Sequence, residues 1–372
     1  AADVAAGPSI AQRVVRRIVR RPVEWWRRPW TDDSIVRSAF TALALAVTTY
    51  VMTNVVHLSI FPGRDLVFDD TTPTGGDFGA HVWGPAYLRD HLLGSFRLNG
   101  WSMDWYAGFP AYRFYMVLPA IGVVLADLVL PYGVALKLVS VLGLITLPFA
   151  CWAFGRLAAF KYPLPELFAF AGLSFALDES FSIYGGNLKS TMAGEFSFSI
   201  SLSLAMLALG LLANGLRTGR FRVWTSVLIA AACVSHGVVL LAFVVPSAVV
   251  FSLIWIDRTR WRYAWTVGVT SVLLAAWWVV PFVWDHDYQT DMKYGAITDW
   301  WVMYFPLTPP LDILITTLAL FGFGFSILRR NLNGSALGVI ALVLVAGVYL
   351  GKDSLPGLGL LWNPRVLPGL YL

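Results

Sequence analysis

The stretch that decides the fold is residues 223–256, which read VWTSVLIAAACVSHGVVLLAFVVPSAVVFSLIWI. This run contains no Asp, Glu, Lys or Arg. A membrane helix needs about 20 apolar residues, so the run is too long for one ordinary span. His236 and Gly237 interrupt it near its middle. We therefore expect either two short helices hinged at this point or one long, tilted helix.

Apolar runs of the same kind recur on both sides of this stretch. Of the 372 residues, 58% are hydrophobic and only 13% are charged, a composition that suits a bilayer rather than water. The sequence predicts an all-α, polytopic membrane protein with roughly nine or ten transmembrane helices. The other spans are predicted at Ser34–Ile60, Val134–Ala153, Pro165–Ser180, Phe196–Leu212, Tyr263–Phe282, Leu311–Leu328 and Ser335–Leu350.

Basic residues indicate which helix ends face the cytoplasm. The basic connectors are the N-terminal arm, Arg156–Lys161, Arg217–Arg222, Arg258–Arg262 and Arg329–Arg330. All five fall on the cytoplasmic side if Phe114–Leu130 does not cross the membrane fully and Val223–Ile256 crosses it twice. Phe114–Leu130 then lies at the outer interface, within a long first extracytoplasmic region. We predict a basic cytoplasmic arm at 1–33 and a plasma-membrane domain at 34–372 that continues beyond this sequence. The arm suits orientation and contact with anionic lipids; no further basic surface supports nucleic-acid binding.

Two further features limit the chemistry. Cys151 and Cys233 both lie inside apolar segments, which indicates packing residues rather than a disulfide or a metal site. The sequence has no nucleotide-binding glycine loop, no zincin spacing and no nucleophile elbow. Cytoplasmic nucleotide chemistry is therefore disfavoured.

The first outer loop carries the most informative polar residues. Residues 75–83 read GGDFGAHVW, so that Asp77 precedes His81 by four residues. If this segment is helical, both side chains lie on one face and could share a proton or a cation. Asp77 also suits a helix N-cap, which would be a structural role. Asp69 and Asp70 form an adjacent carboxylate pair nearer the first span.

Aromatic residues follow in the same loop. Trp101, Trp105 and Tyr106 come close together, and Tyr115 lies a little further on. Their rings could stack on sugars, or they could form the aromatic belt common at a membrane interface. Both interpretations stay open.

Later outer segments contribute further candidates. Glu195 heads an apolar helix, where a carboxylate could be stabilised by the helix dipole or face a cavity. Lys189 and Asn187, in the loop before it, could meet a phosphate or a sugar hydroxyl. Arg365 enters an apolar run, where it could hold a lipid phosphate or extend to the interface.

Two histidine- or aspartate-bearing segments are more ambiguous. His236 is either a satisfied core histidine or a group that faces a cavity. Asp285, Asp287 and Asp291 in the third outer loop could bind a divalent ion, or could be solvated loop charges.

These features together resemble the GT-C superfamily of membrane glycosyltransferases, which use polyprenyl-phosphate-linked sugars. The resemblance rests on Asp77 in the first outer loop, on the interfacial segment Phe114–Leu130, and on the loop that ends in Glu195. Short strings also resemble a bacterial group of membrane proteins labelled as related to 6-pyruvoyl-tetrahydropterin synthase. The strings are GDFGAH, WYAGFP, MAGEF, SHG and NPR.

The resemblance implies inverting sugar transfer at the outer leaflet. Asp77 would be the general base, aided by a divalent cation (Mg, Mn or Ca) that Asp77, His81 and Glu195 could hold. His81 and Glu195 would orient either the acceptor or this cation. Lys189 and Arg365 would neutralise the departing polyprenyl phosphate. Because the acidic positions depart from a plain Asp-Asp or Asp-x-Asp pair at the matching place, the choice between Asp77 and Asp69–Asp70 stays open.

The excess of Arg over Lys, with much Ala, Val and Gly, is typical of GC-rich actinobacterial genomes. There the donor would carry arabinofuranose or mannose, and the acceptor would be an envelope glycan or glycolipid. The alternatives are a transporter or flippase of a lipid-linked sugar, and a non-catalytic scaffold with partner proteins in an envelope-assembly complex.

Overall fold

The computed structural model of the chain describes residues 31–58, 66–255, 260–288, 299–305, 309–350 and 363–372. Most of them are helical and very few lie in strands, which confirms the predicted all-α class. The predicted basic arm lies outside the described residues up to position 30. The chain divides into a short unit, 1–43, and a compact unit, 44–372. The site described below belongs to the compact unit.

The helices are numbered here in chain order. They are α1 Asp32–Val55, α2 Phe78–Tyr87, α3 Leu118–Asp127, α4 Tyr132–Leu157, α5 Leu164–Ala176, α6 Phe196–Thr218, α7 Arg222–Ser235, α8 Gly237–Trp255, α9 Trp261–Trp284, α10 Trp300–Tyr304, α11 Pro309–Leu328, α12 Leu332–Leu350 and α13 Leu367–Tyr371. Strands β1 (Gly100–Ser102) and β2 (Phe109–Ala111) form an antiparallel hairpin in which Trp101 is opposite Pro110.

Five of the described helices are long and apolar enough to cross a membrane. They are α1, α4, the helical segment 188–218 that contains α6, α8 and α9. Helices α3, α5 and α7, with the apolar parts of α11 and α12, are shorter. The chain is thus built as a helical membrane protein, while the count of nine or ten spans stays a prediction.

Up to residue 255, the long apolar run forms two helices rather than one, as the first alternative predicted, but only α7 is short and α8 has 19 residues. Helix α7 ends at Ser235 and α8 begins at Gly237, because His236 adopts an extended backbone with φ −162° and ψ 105°. Helix α7 has 14 residues and so rises about 21 Å, less than the roughly 30 Å of a bilayer core.

The predicted interfacial segment is also a short helix. Helix α3 has 10 residues and rises about 15 Å, so it is too short to cross a bilayer. Leu128 and Val129, which follow it, are exposed. This geometry agrees with a segment that lies at an interface.

Helix α6 is at the centre of the compact unit, between α4 and α7. Small residues allow close approach, since a Cβ at Gly143 of α4 would overlap the α6 backbone at Ser199. The Ser203 hydroxyl donates to the Gly143 carbonyl at 2.9 Å, and the Ser201 hydroxyl donates to Ala232 of α7 at 2.7 Å. The N-terminal end of this well-buried helix carries Glu195.

Both cysteines are buried and unpaired, which confirms the prediction that they are packing residues. Cys151 lies in α4 and Cys233 in α7.

Candidate functional site

The loops that precede α2 and α6 meet closely where these helices begin, and two glycines permit the contact. The backbone N–H of Asp77 donates to the carbonyl of Ala193 at 2.9 Å. Gly76 has φ +50°, and a Cβ there would collide with the Ala193 carbonyl. Gly194 has φ +108°, and a Cβ there would lie 2.8 Å from the Asp77 Cβ. Only glycine fits both the backbone conformation and the space at these positions.

The side chain of Asp77 does not have the structural role that its position allows. Asp77 is the N-cap residue of α2, yet its carboxylate makes no capping hydrogen bond. The predicted N-cap position is therefore confirmed, whereas the side chain makes no capping hydrogen bond. His81 follows one helical turn later, and both residues lie beside Gly194, as the spacing of four predicted.

The His81 imidazole is buried, with 6% of the residue exposed. Its Nε2 is 3.2 Å from the Tyr115 hydroxyl, and its ring meets Phe196 edge-on at 4.6 Å between centroids. Burial lowers the pKa of His81, while the charges of Asp77 and Glu195 oppose that shift, as does a hydrogen bond to the Gly194 backbone. The imidazole is therefore neutral at pH 7.

Tyr115 is the hydrogen-bond partner of His81. Burial raises the pKa of Tyr115, and the negative charges of Glu195 and Asp77 raise it further. The phenol thus stays protonated and can donate to His81 Nε2. The proton of the neutral imidazole is then on Nδ1, a tautomer assigned from the Tyr115 partner of Nε2.

Both oxygens of Glu195 face residues that are distant in sequence, and the contact with Arg365 is a hydrogen bond. Oε1 accepts a hydrogen bond and ion pair from Nη2 of Arg365, which lies on the 3₁₀ turn Asn363–Val366. Oε2 is 3.6 Å from Nε2 of His236, at the break between α7 and α8. Glu195 and Arg365 each have a side chain 14% exposed, and His236 is 1% exposed. The structure thus joins Asp77, His81, Glu195 and Arg365, all predicted as site residues, in one cluster.

The predicted cation site does not fit this arrangement. Within the described ranges, no group of three His, Cys, Asp or Glu side chains is placed to hold a metal ion. Glu195 already has the Arg365 guanidinium against it, and a second cation there would be repelled. The three-ligand site of Asp77, His81 and Glu195 is therefore not supported.

Asn187 is a structural residue, contrary to its predicted binding role. It is fully buried and caps the turn Leu188–Ser190 by accepting from the Ser190 N–H at 2.9 Å. Its amide donates to the carbonyls of Asp178 at 2.7 Å and Phe181 at 2.8 Å. With these three bonds the amide is already engaged within its own loop.

Lys189 lies on the outer face of the same loop. Its ammonium pairs with Glu179, at 3.3 Å from the carboxylate and 3.0 Å from the backbone carbonyl. Glu179, Lys189 and residues 180–184 line an open cavity of about 350 Å³. The structure does not join Lys189 to the Asp77 cluster.

The predicted stacking residues form a separate aromatic surface on the hairpin. Trp105 lies 4.9 Å from Trp83 and 5.9 Å from Phe109 between ring centroids. Trp83 donates from Nε1 to Asp104 at 2.6 Å. Trp101 and Tyr106 are largely exposed, at 64% and 91%.

This aromatic surface and the polar cluster use different sides of α2. Trp83 is two residues beyond His81, a rotation of about 200° around the helix. The aromatic rings therefore extend from the side of α2 that faces away from His81.

Asp69 and Asp70 are held apart from this cluster. They are exposed in a turn whose backbone is fixed by Lys137, which donates to the carbonyls of Leu66 and Asp69 at 2.5 Å each. The carboxylates that act on His81 are those of Asp77 and Glu195. This geometry favours Asp77 over the adjacent pair.

Sequence reasoning missed the roles of two residues. Tyr115 was grouped with stacking or interfacial aromatics, and nothing in its local sequence indicates a histidine partner 34 positions away. For His236 the sequence leaves a core role and a cavity-facing role open, and it does not indicate the proximity to Glu195; the position of His236 at the break in an apolar run was the available signal.

The fold and the site define an α-helical membrane protein with a buried cluster of acidic, basic and imidazole groups at the meeting point of two loops. No family model matches the chain, and neither the curated proteins nor the solved structures include a significant match. The resemblance to the GT-C superfamily therefore stays a prediction that rests on the short motifs.

Proposed function

We propose that this chain is an inverting, GT-C-type glycosyltransferase of the plasma membrane. It transfers arabinofuranose or mannose from a polyprenyl-phosphate donor to an envelope glycan or glycolipid on the outer face. The N-terminus is cytoplasmic and the cluster around Asp77 is extracytoplasmic in this proposal.

The observation that carries the proposal is the convergence of chemically matched groups from four distant segments. Asp77 and His81 come from the first outer loop, Glu195 from the second, His236 from a helix break and Arg365 from the C-terminal turn. Ionisable groups buried among apolar helices are costly, and they are retained where they bind or react. A carboxylate that makes no capping hydrogen bond, in the same cluster as the guanidinium that pairs with Glu195, suits a reaction that removes a proton and releases an anion.

The roles follow from these partners. The Asp77 carboxylate takes the proton of an acceptor hydroxyl as that oxygen attacks the anomeric carbon of the donor. The bond from this carbon to the phosphate oxygen breaks, and the polyprenyl phosphate leaves with the electron pair. Arg365 stabilises the negative charge of the leaving phosphate. His81, fixed by Tyr115 and Gly194, orients the acceptor.

Asp77 suits the base better than Glu195 does. Both oxygens of Glu195 face cationic or imidazole groups, so a proton there would weaken an ion pair that is already formed. Glu195 instead fixes the guanidinium of Arg365 in place.

The hairpin aromatics give the acceptor a surface on which to bind. Trp101, Trp105 and Tyr106 expose ring faces beside Trp83, and sugar rings stack on such faces. In this role the hairpin holds the part of the acceptor that extends away from the reacting hydroxyl.

The test is sugar transfer in purified membranes with radiolabelled polyprenyl-phosphate arabinose and mannose. Transfer from one donor by the wild type, lost in Asp77→Asn, is the expected result. Asp69→Asn is the matched control, because Asp69 is exposed and lies in the turn held by Lys137. Loss of transfer in Asp69→Asn with retention in Asp77→Asn would reverse the assignment of the base.

A transporter or flippase is the second candidate, and it is suggested by the interruption between helices α7 and α8. Interrupted helices often mark the substrate sites of transporters. Movement of a fluorescent lipid-linked sugar across proteoliposomes that contain the wild-type protein, without transfer to any acceptor, would support this candidate instead.

A further inference from the structure

The segment that carries Tyr115 is fastened to the outer end of α9 by three consecutive residues. Arg113 forms an ion pair with Asp285, with Nε and Nη2 at 2.6 Å and 2.5 Å from the same carboxylate oxygen. Phe114 packs edge-on against Phe282, at 6.2 Å between centroids. The two sides of this contact are about 170 positions apart in the chain, so nothing local enforces it.

Tyr115 itself makes the third contact of this kind. Its carbonyl accepts a hydrogen bond from Nε1 of Trp278 at 3.0 Å. Trp278, Phe282 and Asp285 are spaced i, i+4 and i+7, so they form one stripe at the end of α9. Three successive residues therefore dock on three successive turns of one helix.

The position of Asp285 indicates that the contact is specific. Asp285 is the C-cap residue of α9, and a carboxylate at a helix C-terminus is disfavoured by the helix dipole. An acidic residue at this place destabilises the helix on its own. The bond to Arg113, with side chains 32% and 20% exposed, offsets that effect.

We propose that residues 113–115 with Trp278, Phe282 and Asp285, here termed the clasp, position His81 for its role at the site. The backbone of Tyr115 is fixed by Trp278, and the hydroxyl of the same residue meets His81 Nε2. A shift of the Tyr115 backbone therefore moves its hydroxyl and releases the imidazole. The catalytic consequence rests on the proposed function, whereas the effect on His81 does not.

The ion pair is tested by a charge reversal. The variants are Arg113→Asp, Asp285→Arg and the double variant that restores the pair with opposite polarity. Each single change should lower kcat for sugar transfer about tenfold with little change in KM, because a small displacement of an orienting group acts on the reaction step. The double variant should recover activity to within about threefold of the wild type.

The second measurement is independent of activity. The ¹⁵N resonances of the imidazoles report the tautomer and hydrogen bonding of His81, and the chain has only five histidines. His81→Gln identifies the signal. Both single charge variants and Tyr115→Phe should shift it, and the double charge variant should return it towards its wild-type position.

The matched control is the ion pair of Arg89 with Asp127, also on outer segments and at 2.6 Å. Its reversal should leave the His81 signal and kcat unchanged. The proposal is overturned if the single clasp variants fold, lose thermal stability, and keep the wild-type His81 signal, since the pair is then only a structural brace. A shifted His81 signal in a protein without transfer activity would support the clasp and refute the proposed function.

Discussion

The sharpest prediction concerns Gly194, where the loops before α2 and α6 meet. Replacement by Ala would place a Cβ 2.8 Å from the Cβ of Asp77, whereas carbon atoms in contact lie about 3.5–4.0 Å apart. The loops must therefore separate by about 1 Å. The backbone φ of +108° adds strain of about 1–3 kcal/mol for any residue other than glycine. We expect a loss of about 2–6 kcal/mol in the free energy of unfolding, with the overpacking included.

The same displacement moves the proposed base. A shift of about 1 Å in a catalytic group lowers the rate by about 100-fold. Thermal unfolding in detergent measures the first effect, and transfer from the labelled donor measures the second.

Gly79→Ala is the matched control for this variant. Gly79 lies in α2, between Asp77 and His81, and a Cβ there meets nothing within 4 Å. This substitution should be neutral or slightly stabilising, because Ala favours helix over Gly. The reasoning is refuted if Gly194→Ala unfolds at the wild-type temperature and transfers sugar at the wild-type rate.

Three further predictions follow from buried groups. Burial lowers the pKa of His81. The stability that the neutral imidazole contributes is therefore fully present above its ordinary pKa of about 6.5 and is lost as the pH falls through the lowered value. In a curve of unfolding temperature against pH, His81→Gln should flatten this part. Glu195→Gln or Arg365→Gln alone leaves one largely buried charge unpaired and should cost about 3 kcal/mol in the free energy of unfolding. Thermal unfolding should show that the double variant loses less than the sum of the two single variants. Asn187→Ala removes the donors to two backbone carbonyls and should cost about 2–4 kcal/mol in the free energy of unfolding, which lowers the unfolding temperature. The protein that remains folded should keep the wild-type KM.

The helices of this fold could be predicted from the sequence because each one is indicated by its own run of apolar residues. A run of apolar residues predicts a helix wherever it occurs, and the break at His236 was visible as a polar residue inside such a run. The spacing of Asp77 and His81 also predicted their shared position, since α2 begins immediately after Asp77. These inferences need only the geometry of one helix.

The contacts of the site were beyond sequence reasoning because they join distant segments. The partner of Glu195 is 170 positions away, and that of Tyr115 is 34 positions away. The wrong expectation for Asn187 has the same origin, because a polar residue in an outer loop resembles a ligand-binding group until its backbone partners are known. Burial decides between these roles, and burial is a property of the folded chain.

The break between α7 and α8 bears on the choice between enzyme and transporter. Irregular backbone at membrane depth is tolerated where it is buried in protein or lines a water-filled cavity. In the described part of the chain this break is buried, since His236 is 1% exposed and the Ser201 hydroxyl of α6 bonds to the Ala232 carbonyl beside it. A moving gate would have to open this packed contact. The break instead directs an imidazole towards Glu195, which favours a fixed site over a path through the helices.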